Sequence, residues 1–451
     1  MEALGNQRES CDRISELPDS VIQHILSFLP VKDVIRTSFL SKRWKYLWTS
    51  VPNLDFDGLV FSPKTKFMNF VDSVLLRRNG AAIQKFRLSF GDYYCDGSRV
   101  HTWIDAAVTH NVRELDFFYY TSKHFDLPIC LYTCKSLTVL KLNLNFATLN
   151  LPSSIYLPSL KTLQLSSLAF PNDDLTEKLF SSCPILESLI LRDCALGNLK
   201  ILRICSSSLQ RLSIDGLPKE LGLSNGTIAC QIKVSTPRLL SFEYSDHMGQ
   251  DISIENMSSL EYAYISFDFD WEENEPLCVH CVTKFLRGLS NAKVLKVSST
   301  SIQLLSPASN SLGRLPMFYN LSRLNLGAAA TKENIRVITS FLHSAPNLEI
   351  LAIAFLSLRG FHEKRYFEAQ DVPPLERVID RLKVVKIMWF GGGKNELVFV
   401  KFLLENARAL KRMTIMPSKQ LSANLELQMK VRQEILMHRR GSISSEVLFL
   451  S

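Results

Sequence analysis

Residues 186–196 read Leu186-Glu187-Ser188-Leu189-Ile190-Leu191-Arg192-Asp193-Cys194-Ala195-Leu196. Leu189 and Leu191 are two apart, the period of a strand, so both turn to one side while Ile190 and Arg192 turn to the other. Leu186 leads the strand in, and Cys194 and Leu196 carry the apolar pattern out through a turn. A strand this short cannot shelter its leucines alone. It has to stack on others of its kind.

The spacing recurs down most of the chain. It is clearest at Leu137, Leu140, Leu142 and at Leu160, Leu163, Leu165. Other apolar residues take the places at Leu209-Leu212-Ile214, Leu239-Phe242-Tyr244, Leu260-Ala263-Ile265, Leu321-Leu324-Leu326 and Leu348-Leu351-Ile353. Earlier copies stand at Ile83-Phe86-Leu88 and Val112-Leu115-Phe117, later ones at Leu382-Val385-Ile387 and Leu410-Met413-Ile415. First positions follow one another at about 21 to 34 residues, apart from the longer gap between Leu260 and Leu321, and the full string at 186–196 is the signature of a leucine-rich repeat. Pro158, Pro184, Pro237 and Pro346 each stand two residues ahead of a first position, where a residue without an N–H and with fixed φ suits the loop before a strand. Between strands, 174–181 and 334–343 show helical spacing, with Ile335, Val337, Ile338, Phe341 and Leu342 in the second. The expected fold is therefore α/β, an irregular leucine-rich-repeat solenoid. A doubly wound sheet would show continuous apolar strands instead of a repeated leading leucine.

Residues 13–50 follow a different period. Leu17-Pro18-Asp19 opens a helix with Pro18 in its first turn, and Ile22, Ile25, Leu26 and Leu29 form one stripe that Pro30 ends. A second helix is expected near Lys32-Asp33 with Val34, Ile35 and Phe39, and a third capped by Ser41 with Trp44, Leu47 and Trp48 on one face. Three short helices in about forty residues seldom bury enough apolar surface to stand alone, so the segment calls for a partner.

The string from Asp12-Arg13-Ile14-Ser15-Glu16-Leu17-Pro18-Asp19 to Leu40-Ser41-Lys42-Arg43-Trp44-Lys45-Tyr46-Leu47-Trp48-Thr49-Ser50-Val51-Pro52 resembles the F-box of the plant F-box/leucine-rich-repeat/FBD family. From Pro373 onward, Pro374-Leu375, Leu382 to Ile387, Phe390-Gly391, Glu396 to Ile415 and the tail from Val431 to Leu450 are similar to the FBD module of the same family. The resemblance implies an F-box over 11–56, leucine-rich repeats over 79–370 and an FBD domain over 371–451 that closes the array. It also implies a substrate-recognition subunit of a Skp-cullin-F-box ubiquitin ligase. A Skp-family adaptor would meet Leu17, Pro18, Ile22, Ile25, Leu26, Leu29, Val34, Trp44 and Leu47, and would bridge to cullin and RING subunits. The alternative is a repeat scaffold that binds proteins without ligase function.

Composition agrees with an intracellular protein of the nucleus or cytoplasm. The chain has 451 residues and a net charge of +8, from 52 basic against 44 acidic residues, without a long basic block, so nucleic acid is not expected. No leader of the secretory kind and no run near 18 apolar residues is present. Ten cysteines at irregular spacing, among them Cys183, Cys194, Cys205 and Cys230, read as reduced core residues.

Catalytic chemistry is not expected. Gly391-Gly392-Gly393-Lys394 lacks the glycine spacing and the Ser or Thr of a phosphate loop, and reads as a turn ahead of a helix. Cys278 and Cys281 have zinc-like spacing but no second pair, with His247 the one distant candidate, and Cys130 and Cys134 fit core positions. No cofactor or metal is implied. A target protein would meet the residues between the strand leucines, which face the concave side. Arg192, Arg211, Tyr262 and Tyr264 are the first choices, because tyrosine and arginine are frequent interface anchors.

Overall fold

The computed structural model describes residues 14, 16–58, 61, 64–91, 97–120, 126–216, 230–247, 251–268, 275–306, 315–356 and 380–450. The chain forms two compact units, Met1–Leu168 with Ser182–Ile185, and Ala169–Ser181 with Leu186–Ser451. Both are mixed α/β, with short parallel strands and helices between them. Together they show an N-terminal F-box followed by a leucine-rich-repeat fold.

In the first unit, helices α1 (Asp19–Leu26) and α2 (Val31–Arg36) are followed by a 3₁₀ turn (Thr37–Phe39) and a 3₁₀ helix (Trp44–Ser50). Five strands then align in parallel: β1 (Asn53–Asp57), β2 (Lys85–Gly91), β3 (Glu114–Tyr120), β4 (Val139–Asn143) and β5 (Thr162–Ser166). Helices α3 (Lys64–Leu76) and α4 (Gly97–Thr109) lie between the early strands in sequence. Leu54, Phe86, Leu115, Leu140 and Leu163 form one row across the sheet, and all are buried. The sheet thus starts at Asn53, inside the stretch assigned to the F-box and ahead of residue 79. Leu54 and Phe56 pair with Phe86 and Leu88, and Val51 holds the leading position three residues ahead of Leu54, as Val112 does ahead of Leu115.

The second unit holds α5 (Asp173–Ser181) and ten parallel strands in the order β6 (Ser188–Arg192), β8 (Arg211–Asp215), β10 (Ser241–His247), β12 (Tyr262–Asp268), β13 (Val294–Val297), β14 (Arg323–Ala328), β15 (Ile350–Phe355), β16 (Val384–Phe390), β17 (Arg412–Pro417) and β18 (Glu446–Phe449). The register keeps the second position of every strand in line: Leu189, Leu212, Phe242, Ala263, Leu295, Leu324, Leu351, Val385, Met413 and Val447. All but Val447 are almost fully buried. Each such leucine contributes roughly 1.5–3 kcal/mol of transfer free energy, and a slip by one residue would turn the whole row to water. β13 fills the long gap between Leu260 and Leu321, with Ala292 in place of a leading leucine.

A second sheet was not foreseen. β7 (Ile201–Cys205), β9 (Gln231–Ser235) and β11 (Asp251–Glu255) pair in parallel and bury Leu202, Ile204, Ile232, Val234 and Ile252. Asp173 of α5 fixes its first edge, accepting hydrogen bonds from the backbone N–H of Lys200 (2.9 Å) and Ile201 (3.3 Å). α6 (Glu275–Gly288) packs on β11. α7 (Ser299–Leu305) and α8 (Lys332–Ser344) complete the middle of the unit, and α8 buries the expected Ile335, Val337, Ile338, Phe341 and Leu342 behind an N-cap on Thr331. At the C-terminal end α9 (Lys394–Asn406), α10 (Lys419–Ser422) and α11 (Leu425–Leu436) accompany β16–β18. Helix α11 carries the chain into the tail and holds on through Val431 and Ile435 at i, i+4.

Candidate functional site: the F-box head and the open face of the repeats

Proline sets both F-box helices. Pro18 stands at the N-cap of α1, one position earlier than expected, and its carbonyl accepts from the N–H of Val21 and Ile22. α1 ends at Leu26, so Pro30 does not terminate it. Pro30 instead starts α2, accepting from Asp33 and Val34 in the same way. The third helix is 3₁₀, begins at Trp44 and has no side-chain cap, so Ser41 does not cap it. Arg43 braces it: Nε and Nη2 donate to Asp19 Oδ1 at 3.0 and 2.6 Å, and Nη2 also donates to the Leu17 carbonyl.

These helices do build a core of their own. Ile22, Leu26, Val34, Trp44, Leu47 and Val51 pack together, with Leu17 and Trp48 against them. Five of the nine residues read as adaptor contacts, Ile22, Leu26, Val34, Trp44 and Leu47, are therefore interior and shape the head without facing solvent. Of the remaining four, Pro18, Ile25 and Leu29 are exposed and Leu17 is half-buried. The exposed apolar surface is larger than the sequence stripe showed. Val21, Phe28, Phe39, Leu40 and Tyr46 all face solvent, and Phe39 is 87% exposed. Val21, Ile25 and Phe28 fall at i, i+4 and i+7, a signal hidden because the buried stripe of α1 was the stronger one.

The F-box is tied to the first strand. Arg78, just after α3, donates to the carbonyls of Val51 (2.8 Å) and Ala81 (3.1 Å), Asn79 Nδ2 donates to Ser50 Oγ (2.6 Å), and Asn53 Nδ2 donates to the Ser27 carbonyl (3.2 Å). Burial lowers the Arg78 guanidinium to about 10.

Along the repeats, the first, third and fifth positions of each strand turn away from the core and form the open face of the sheet. In the first unit Arg87 sits on this face between Asp55 (3.0 Å) and Asp116 (3.8 Å). Burial works against its charge, but Asp55, Asp116 and Asp57 together hold it above its ordinary value.

In the second unit Arg192 and Arg211 are exposed and Tyr262 and Tyr264 half-buried. Arg211, Ser241 and Tyr262 share one row, Glu243 and Tyr264 the next, while Arg192 stands two positions further along its strand, level with Asp215. Burial first, then Glu243 and Tyr264, push the Tyr262 hydroxyl up. Three further residues stand out on this face. Lys296 lies on β13, which lacks the leading leucine, and stands over the Tyr264 ring at 4.9 Å. Lys386 continues the same row on β16. Trp389 follows it, 56% exposed with φ 55°, where the register to β17 shifts between Ile387 and Phe390. Holding a bulky residue in that conformation costs roughly 1–3 kcal/mol and is often seen where backbone serves function.

Gly391–Gly393 leads into α9, and the Glu396 carboxylate accepts from the N–H of Gly391 (2.8 Å) and Gly393 (3.1 Å). The protein's own anion takes the place a phosphate would need. Cys278 and Cys281 fall in α6, but their side chains and that of His247 lie outside the described residues, as do Asp12, Arg13, Ser15 and the 373–375 stretch. Among the described residues no group of three or more metal-ligating side chains occurs, and no helix is long and apolar enough to cross a membrane. Cys183, Cys194, Cys230 and Cys134 are buried free thiols, Cys130 is half-buried, and Cys205, expected in the core, is exposed at the end of β7.

A folded F-box head followed by stacked leucine-rich strands defines a leucine-rich-repeat F-box protein. Comparison with known proteins agrees. The F-box domain family matches residues 14–56, and the At1g61320/AtMIF1 LRR domain family matches residues 74–441. Similar proteins from Arabidopsis thaliana include F-box/LRR-repeat protein 13, 32% identical with 98% of this chain and 97% of that protein covered, and FBD-associated F-box protein At1g66310, also 32% identical with the same coverage. FBD-associated F-box protein At5g22730 is 30% identical over 90% of this chain and 87% of its own length. The chain belongs to the F-box/FBD/LRR-repeat family.

Proposed function

We propose that the protein is the substrate-recognition subunit of a Skp-cullin-F-box ubiquitin ligase. The observation that carries this reading is the F-box head, which fills its own core and still leaves Val21, Ile25, Phe28, Leu29, Phe39 and Leu40 exposed within the stretches 21–29 and 39–40. So many large apolar side chains in water within one small head call for a covering partner, and a Skp-family adaptor is the partner that F-boxes take. The adaptor brings cullin and RING subunits, and the open face of the repeats holds the target. Residues 371–451 act as the FBD domain that closes the array. No residue of this chain catalyses the transfer: holding the target's lysines near a ubiquitin-loaded enzyme raises their effective concentration. Its place of action is the nucleus or the cytoplasm.

The test compares the intact chain with one lacking residues 11–56. The intact chain should capture a Skp-family adaptor and shorten the half-life of proteins bound to its repeats, and the shortened chain should keep those proteins and protect them. If the intact chain takes no adaptor, or the half-lives do not differ, the protein is a repeat scaffold and the ligase reading fails.

A further inference from the structure

The open face of the second unit changes character at β13. From β13 to β17 its outward positions carry four cations, Lys296, Arg323, Lys386 and Arg412, and no carboxylate, whereas Asp215, Glu243 and Asp268 occupy outward positions on β8, β10 and β12. Arg412 is paired with Glu446 of β18 at 3.2 Å. Among the described residues no carboxylate stands within ion-pair distance of Lys296, Arg323 or Lys386. Their neighbours Lys293 and Lys383, by contrast, are held by Glu261 (2.7 Å) and Glu349 (2.6 Å).

Between Lys296 and Lys386 the row is low. Asn325 of β14 and Ala352 of β15 separate Lys296 from Lys386, and Ala354 lies next along β15. Each end is walled by larger side chains. Tyr264 lies under Lys296, while at β16 the extra residue of the bulge places Met388 and Trp389 together between the buried Ile387 and Phe390, so that both face outward.

We propose that this trough between Lys296 and Lys386 binds an extended acidic segment of a partner protein, with two carboxylates four residues apart meeting the two lysines. The spacing follows from the sheet. Three strand separations of about 4.8 Å put the two positions roughly 14 Å apart, and an extended chain covers that in about four residues. Polypeptide is favoured over nucleic acid because the cations are few and stand among Val294, Ile350, Val384 and the aromatic walls, whereas a phosphate backbone asks for a continuous basic strip. The inference rests on the reading of the repeats as the target-binding part, and names the chemistry of that target.

The experiment uses the full chain and a fluorescein-labelled ten-residue peptide with glutamate at its positions 3 and 7, tyrosine at 5, and glycine and serine elsewhere, read by fluorescence anisotropy. Binding is expected to weaken at least tenfold when both glutamates become glutamine, and at least tenfold when the protein carries Lys296→Glu with Lys386→Glu. Lys135→Glu, an exposed lysine of the first unit, should change nothing. Circular dichroism melts of the three proteins should coincide, since all three positions are exposed. Equal affinity of the double variant, or tighter binding of a ten-nucleotide oligothymidylate than of the peptide, overturns the proposal. Capture of a Skp-family adaptor by the same protein is measured in parallel. Adaptor capture without peptide binding sinks this inference alone, and failure of adaptor capture sinks the ligase reading whatever the peptide does.

Discussion

Arg78 Nη1 donates to the Val51 carbonyl at 2.8 Å, joining the stretch just after α3 to the last core residue of the F-box. Arg78 is only 9% exposed, and its Nε has no hydrogen-bond partner among the described residues. Arg78→Met would remove a buried charge, which helps, but would leave the carbonyls of Val51 and Ala81 without their donors. The second effect should win, for a net loss of about 1–3 kcal/mol. Urea unfolding checks the loss, and limited proteolysis should cut first near residues 50–54 in the variant.

The interior and exterior of the F-box separate by mutation. Ile25→Ser with Phe28→Ser should weaken adaptor binding at least tenfold and leave the melting temperature nearly unchanged, because both side chains are already in water. Trp44→Ala should cost about 3–5 kcal/mol of stability and lose adaptor binding only through the fold. Calorimetry on both variants, with melts alongside, distinguishes surface from core.

Removing residues 371–451 strips β16, β17 and β18 and bares the edge and the apolar row of β15. An uncapped repeat end of this kind favours aggregation, so soluble yield should fall sharply. Equal yield and an unchanged melt would show an FBD domain folding on its own. A finer probe is Gly441→Ala: its Cβ would stand 2.3 Å from the Glu405 carbonyl oxygen, so α9 or the approach to β18 has to move, and a loss of at least about 1 kcal/mol is expected in urea unfolding.

Thiol chemistry should sort the cysteines. Burial pushes the Cys183 thiol up to about 12; Cys130 is pushed up to about 12 by burial together with Asp105. At pH 8 each is thiolate in only about one molecule in ten thousand, four pH units below its midpoint, and the fraction grows as pH rises. Exposed Cys205 should therefore alkylate well ahead of both at pH 8, read site by site by mass spectrometry, and raising the pH to 9.5 should speed Cys130 by roughly thirtyfold while the native fold holds.

The strand register was readable from sequence wherever a leading leucine stood three residues ahead of an alternating pair. Leu189, Leu212, Phe242 and Leu324 fall in one row as their spacing requires. It failed at β13, where Ala292 leads, and at β9 and β11, whose Ile232 and Ile252 follow no leading leucine; β7 does carry Leu199 ahead of Leu202 and Ile204, but it falls between the copies at Leu186 and Leu209 and joins the second sheet. Alternation shows that a strand exists but not which sheet it joins. In the F-box, apolar spacing located the helices but could not say which stripe turned inward. Ile22 and Leu26 won the core over Ile25 and Leu29 because Trp44 and Leu47 pack on their side. Lys386 lies between Val385 and Ile387 as the spacing requires, whereas Trp389 gained its place from a bulge that only the paired strands reveal.

The row of second-position side chains stays aligned although the stretches between strands differ in length: β8 and β10 are separated by 25 residues and β10 and β12 by 14, yet Leu212, Phe242 and Ala263 remain level. The interior is thus indifferent to what the outward positions hold. A lineage could exchange Glu243, Lys296, Asn325 or Lys386 one at a time, each change altering what is captured while the scaffold persists. Descent with new specificity would then need few steps, each of them viable.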